Sequence, residues 1–190
     1  MASQGPNSPG TVVDDATVGT VAWTNPDNAK VSDNVYATAL DGAVTTHYLK
    51  ASNLGFAIPA GATINGIVVE IERAGYDLGG GVLVKDSAVR IIKADGTVGT
   101  TNKGDTVNAW PVTDTYKTYG SSSDLWGETW TSADINDVDF GVVLSALLTE
   151  TGPEGPNFAN VDHIRITVYY TLISTITGVS TVQGLQTITL

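Results

Sequence analysis

The stretch VDHIRITVYYTLISTITGVSTVQGLQTITL, residues 161–190, changes its hydrophobic period partway along. From Val161 to Tyr170 the apolar residues alternate, with Ile164, Ile166, Val168 and Tyr170 on one face and His163, Arg165, Thr167 and Tyr169 on the other. Successive side chains leave a strand on opposite sides, so this alternation predicts a β-strand with one face buried. Beyond Tyr170 the period becomes three, and Ile173, Ile176, Val179, Val182, Leu185 and Ile188 recur with small polar residues between them. Thr175, Thr181 and Thr187 recur at the same spacing as one another, as do Gly178 and Gly184, which makes the tail a series of hexads. Hexad repeats are the pattern of β-solenoids, which need stacked neighbours to close a core. Residues 171–190 therefore read as an arm completed by other chains. A period of three suits a homotrimer in which each chain supplies one side of a three-sided core, with the six aliphatic residues as its oligomerisation stripe.

Upstream of this junction the chain reads as one domain. Its 190 residues suffice for a single core with appendages. Residues 1–10, MASQGPNSPG, hold too little apolar surface to order alone, so 1–20 is expected to be a flexible arm leading into the first strand. Residues 21–170 alternate between strand patterns and turn signals. Thr63–Arg73 is the clearest strand of the first half, with Ile67, Val69 and Ile71 opposite Val68, Glu70 and Glu72. Val82–Lys93 and the run FGVVLSALL, 140–148, are two more, and the second is apolar enough to be buried on both faces. Asn25–Asn28, Ile58–Ala62 and Asp95–Gly96 are turns, and Gly75–Gly81 reads as a mobile loop. Thr131 or Ser132 is placed to cap about one turn of helix. Many short strands with almost no helix predict an all-β fold, an antiparallel β-sandwich of jelly-roll type.

Composition narrows the function classes. Net charge is −11, which opposes nucleic-acid binding through phosphate contacts and disfavours anionic membranes. No apolar run is long enough to span a membrane, and the first residues carry no secretory pattern. The absence of cysteine removes disulfides, thiolate metal sites and cysteine nucleophiles.

The search for chemistry is short. His47 and His163 are the two histidines, and His163 follows Asp162, but no nucleophile elbow accompanies either. Asp14 and Asp15 are adjacent, and Asp134, Asp137 and Asp139 cluster, without the glycine and distal glutamate of a calcium loop. Gly79-Gly80-Gly81 does not lead from a strand into a helix, so it is no phosphate loop. The expectation is no catalytic residue, no metal and no cofactor. One constellation suggests binding instead. Trp110, Tyr116, Tyr119, Trp126 and Trp130 crowd into a long loop region, Asn108–Trp130, either as sugar-stacking rings or as a plug at the end of the sandwich.

Three segments carry a resemblance. FAIPAGATINGIVVEIER (56–73), LWGETWTSADIND (125–137) leading into FGVVL (140–144), and VDHIRITVYY (161–170) resemble a family of tailed-bacteriophage virion proteins. The likeness covers most of Trp23–Tyr170, and the tail is similar to the short β-repeat arms of trimeric phage fibres and head fibres. The resemblance implies strand and turn positions of a β-sandwich and brings no catalytic residues with it. It implies a virion component assembled in the host cytoplasm. The expected role is a trimeric capsid decoration, or cement, protein on the head exterior, in contact with the major capsid protein. The alternative is a tail-fibre, receptor-binding or carbohydrate-binding module that meets a host-surface glycan.

Overall fold

The computed structural model describes residues 1–41, 43–76, 84–149 and 157–172. Ten strands build two antiparallel sheets: β1 (Ala2–Asn7), β2 (Thr11–Asp15), β3 (Ala37–Asp41), β4 (Val44–Thr45), β5 (Tyr48–Ser52), β6 (Thr63–Tyr76), β7 (Val84–Ile92), β8 (Thr115–Gly120), β9 (Gly141–Leu148) and β10 (Asn157–Thr171). In the first sheet β10 lies between β6 on one edge and β1 and β3, end to end, on the other; β8 flanks β6. In the second, β9 lies between β7 and the pair β4 and β5, and β2 flanks β5. Successive strands alternate between the two sheets at every step except β4 to β5. That winding is the jelly-roll form of the β-sandwich.

The core is the space between the sheets. Ile67, Val69 and Ile71 of β6 and Ile164, Ile166 and Val168 of β10 face Val89 and Ile91 of β7 and Val142, Leu144 and Ala146 of β9, all buried. A second, small cluster of Tyr48, Ala88, Ile92 and Val143 lies on the outer face of the second sheet, under Val18 and Val98. This is why the run 140–148 is apolar on both faces.

Bulges set which residues point inward. At Asp162 the β10–β6 register slips by one, from Val161↔Arg73 to His163↔Glu72. Ala159 and Val161 are therefore buried before the bulge and Ile164 and Ile166 after it, although their parities differ. A second slip between Asp86 and Ala88 does the same for β7.

Three sequence expectations are corrected. The first residues are not a loose arm: β1 pairs with β10 from Ala2↔Tyr170 to Asn7↔Ile166, and β2 pairs with β5. Backbone pairing, rather than buried side chains, orders β1, helped by Asn7 Nδ2 donating to the Leu54 carbonyl (2.9 Å) and Ala57 N–H donating to Gln4 Oε1 (3.0 Å). The aromatic stretch 108–130 is not all loop, since Thr115–Gly120 is β8. Gly75 and Tyr76 belong to β6, while 77–83 fall outside the described residues. The short helix is present as α1 (Ser132–Asn136), capped by Thr131. The stripe Ile173, Ile176, Val179, Val182, Leu185 and Ile188 lies outside the described residues.

Candidate functional site

The polar residues gather on the outer face of the first sheet, around the β10 bulge. The extra residue, Asp162, is buried, and its Oδ1 accepts from the backbone N–H groups of Asp33 (3.3 Å) and Asn34 (2.9 Å). Burial pushes its carboxyl up. His163 is held from both sides: Nε2 lies 2.8 Å from Ser8 Oγ and Nδ1 lies 2.8 Å from the Tyr116 hydroxyl. Burial, and then the Arg165 charge, push the imidazole pKa down. Arg165 makes a two-pronged contact with Glu70, at 2.9 and 3.2 Å, and stacks on the Tyr116 ring at 3.9 Å. Glu72, between β8 and His163, has a buried Oε2 without a hydrogen-bond partner.

Ser8 and His163 thus form a hydroxyl–imidazole pair that sequence separation of 155 residues concealed. The other imidazole nitrogen meets a phenol rather than the carboxylate of a serine-hydrolase triad. In the fold the pair fastens the β1–β2 segment to β10. His47 has a comparable structural position: its Nδ1 lies 2.8 Å from Asp14 Oδ2, and Trp23 bonds both residues, through its backbone N–H to Asp14 and its indole N–H to the His47 carbonyl.

The aromatic residues singled out by the sequence do not share one surface. Trp110, Tyr119 and Trp126 are 2%, 3% and 1% exposed, so none offers a face to a sugar. Trp110 donates to Asp86 Oδ1 (2.7 Å), Tyr119 donates to Asp86 Oδ2 (2.8 Å), and Trp126 donates to the Ile67 carbonyl (3.0 Å). A buried indole or phenol needs a partner for its polar end, and these bonds supply it. Burial, followed by the Asp86 charge, pushes the Tyr119 hydroxyl well up. Tyr116 sits on the outer sheet face under Arg165. Trp130 packs edge-on against Phe140 at 5.4 Å and lines a small groove with Lys93, Asp95 and Asp134.

The aspartates are backbone caps. Asp134 and Thr131 cap each other at the start of α1, and Asp137 Oδ1 accepts from Asp139 N–H (2.9 Å). Among the described residues no three His, Asp or Glu side chains converge where an ion could sit. The stretch Gly79–Gly81 lies outside the described residues.

An open concavity lies at one end of this outer face, with a volume of about 400 Å³. Its walls include Asn34, Tyr36, Tyr76, Asp114 and Asn160. Tyr36 donates to Asp114 Oδ2 at 2.6 Å, and this bond, with burial, pushes the phenol pKa up to about 12. Asp114 Oδ1 is buried and has no hydrogen-bond partner among the described residues. Sequence reading missed this group because its members come from loops and strand ends far apart in the chain.

No family model matches the chain, and no curated protein sequence does. Among solved structures, the N-terminal cellulose-binding domain of β-1,4-glucanase C from Cellulomonas fimi is similar over 86% of this chain and 92% of its own, at 11% identity and a TM-score of 0.36.

Proposed function

We propose that this chain is a non-enzymatic structural protein of a phage virion, a decoration protein on the head exterior that trimerises through residues 173–190. The observation that supports this reading is where the sandwich stops. The last paired residue of β10 is Thr171, opposite Thr63, and among the described residues the core is filled by those between Val12 and Val168. The period-three stripe follows that point in sequence and lies outside the described residues. Its aliphatic residues need partners from other copies. The likeness of segments 56–73, 125–144 and 161–170 to phage virion proteins supports the setting.

Mass measurement in solution tests it. The full chain is expected to be a trimer and residues 1–172 a folded monomer; a monomer in both cases overturns the arm as the trimer-forming element. Capsids assembled without the protein are expected to break at lower temperature or milder osmotic shock, and unchanged capsids remove the cement role. The alternative of a sugar-binding module built on Trp110, Trp126 and Trp130 loses its platform, because two of those three rings are inside the core.

A further inference from the structure

We propose that the groove between Tyr36 and Tyr76 is a binding site for a neutral saccharide, with Asp114 as its central hydrogen-bond acceptor. The groove stands at the end of the first sheet where β3, β10 and β6 meet, at the rows Leu40↔Phe158↔Tyr76 and Thr38↔Asn160↔Ala74. Its size falls within the usual range of small-molecule sites.

The lining has the chemistry of sugar recognition. Tyr76 is 53% exposed and lies tilted against Phe158, with ring centroids 6.1 Å apart, so the ring is steadied by a neighbour while about half of the residue stays accessible. A pyranose presents an apolar C–H face to such a ring and a rim of hydroxyls that donate and accept at once. Asp114 supplies an acceptor in need of a donor: Oδ2 is occupied by the Tyr36 hydroxyl, whereas Oδ1 is buried and unpaired among the described residues. An orphaned buried carboxylate oxygen costs stability and calls for a partner that none of the described residues provides. Asn160 Oδ1 already accepts from Thr38 Oγ1 (3.0 Å), which leaves its amide nitrogen to donate. Asn34 has its backbone fixed in the left-handed region, φ 63°, by the bond to Asp162, which sets its side chain at the groove wall.

Charge selects within polar ligands. Asp114, Asp162 and Glu72 all act on Tyr36, so the groove is electronegative and repels anionic sugars and phosphates. A cationic ammonium would pair with Asp114 but would leave the amide donor of Asn160 facing a positive charge. A neutral hydroxylated ring can meet both groups. This site is independent of how the copies assemble, and it uses none of the loop tryptophans.

The test is an NMR titration of the full chain with a panel of neutral oligosaccharides built on glucose, mannose, galactose and N-acetylglucosamine, with choline as the cationic comparator. At least one saccharide is expected to shift the side-chain amide signals of Asn34 and Asn160. Asp114→Ala and Tyr76→Ala are each expected to weaken that saccharide about tenfold or more, with Trp130→Ala unchanged. Tyr76 is exposed, so Tyr76→Ala remains decisive even if Asp114→Ala disturbs the fold. The proposal is overturned if no saccharide shifts those amides, if binding ignores Tyr76→Ala, or if choline alone binds there.

Discussion

Arg73 and Asp86 face each other inside the sandwich, with the guanidinium Nε 3.5 Å from Asp86 Oδ1 and the two side chains 4% and 0% exposed. The contact is ionic, while the hydrogen bonds go elsewhere. Arg73 donates to the Tyr119 oxygen (3.1 Å), and Asp86 accepts from Trp110, from Tyr119 and from the Asp105 N–H (2.7 Å). Arg73 also lies over the Trp110 ring, 4.7 Å from its centre. One carboxylate thus ties β6, β7, β8 and the 105–110 loop together.

Removing that carboxylate leaves a buried cation and three donors without partners. Asp86→Ala is expected to lower the unfolding free energy by about 3–5 kcal/mol, measured as a shift of the urea midpoint. Asp86→Asn, which keeps an acceptor oxygen, is expected to fall between the two. A loss below about 1 kcal/mol for Asp86→Ala would show that the cluster is not a keystone.

The tryptophans report on the same interior. Of the four, Trp23, Trp110 and Trp126 are buried and Trp130 is half-buried. Acrylamide is expected to quench one tryptophan in the native protein, and Trp130→Phe is expected to abolish the quenchable fraction. Quenching that survives this substitution would mean an interior ring is open to solvent.

Stability is expected to depend on pH through His163. Its folded pKa lies below the ordinary value of 6.5 because it is buried and near Arg165. The unfolded chain then binds the proton more readily, so the contribution is complete above 6.5 and is lost as pH falls through the folded pKa. Urea midpoints measured across this window are expected to fall on acidification, and His163→Gln is expected to flatten the slope. Parallel slopes for the two proteins would remove His163 as the cause.

Deleting residues 1–8 is expected to destabilise the sandwich rather than trim a loose end. The Ile166–Tyr170 edge of β10 would lose β1, and His163 would lose Ser8. An exposed strand edge invites pairing between molecules. Hydrogen exchange in Ile166–Tyr170 is expected to accelerate, and the truncated chain to aggregate at lower concentration. Unchanged exchange would show that β1 contributes no protection.

The local patterns carried most of the sheet interior. The inward residues of β6 and the second half of β10 follow their period-two alternation, because burial of one face and the pleat act on the same residues, while β9 was legible as a continuous apolar run. β1 escaped because ASQGPN has no apolar side to read, and a strand held by backbone bonds at a sheet edge leaves no hydrophobic signature. β8 escaped because its TYKTYG alternates a tyrosine inside with a tyrosine outside, so the face that buries Tyr119 cannot be told from the one that presents Tyr116. The aromatic cluster was visible as composition, yet its role turned on the partners of each indole and phenol, which come from distant strands. The Tyr36–Asp114 bond spans 78 residues and has no sequence signal at all.

The long strand β10 gives the molecule two poles. Ala2, Ile64 and Tyr170 are neighbours at the rim where β10 ends, whereas Asn160 belongs to the groove at the other end of the same strand. Asn160 and Thr171 are separated along the strand by on the order of 35 Å. Under the proposed assembly through residues 173–190, each copy would contribute one groove at the pole opposite Thr171. A ligand gripped weakly by one groove would then be held by several, and the proposed assembly would gain its grip on a repetitive surface through avidity.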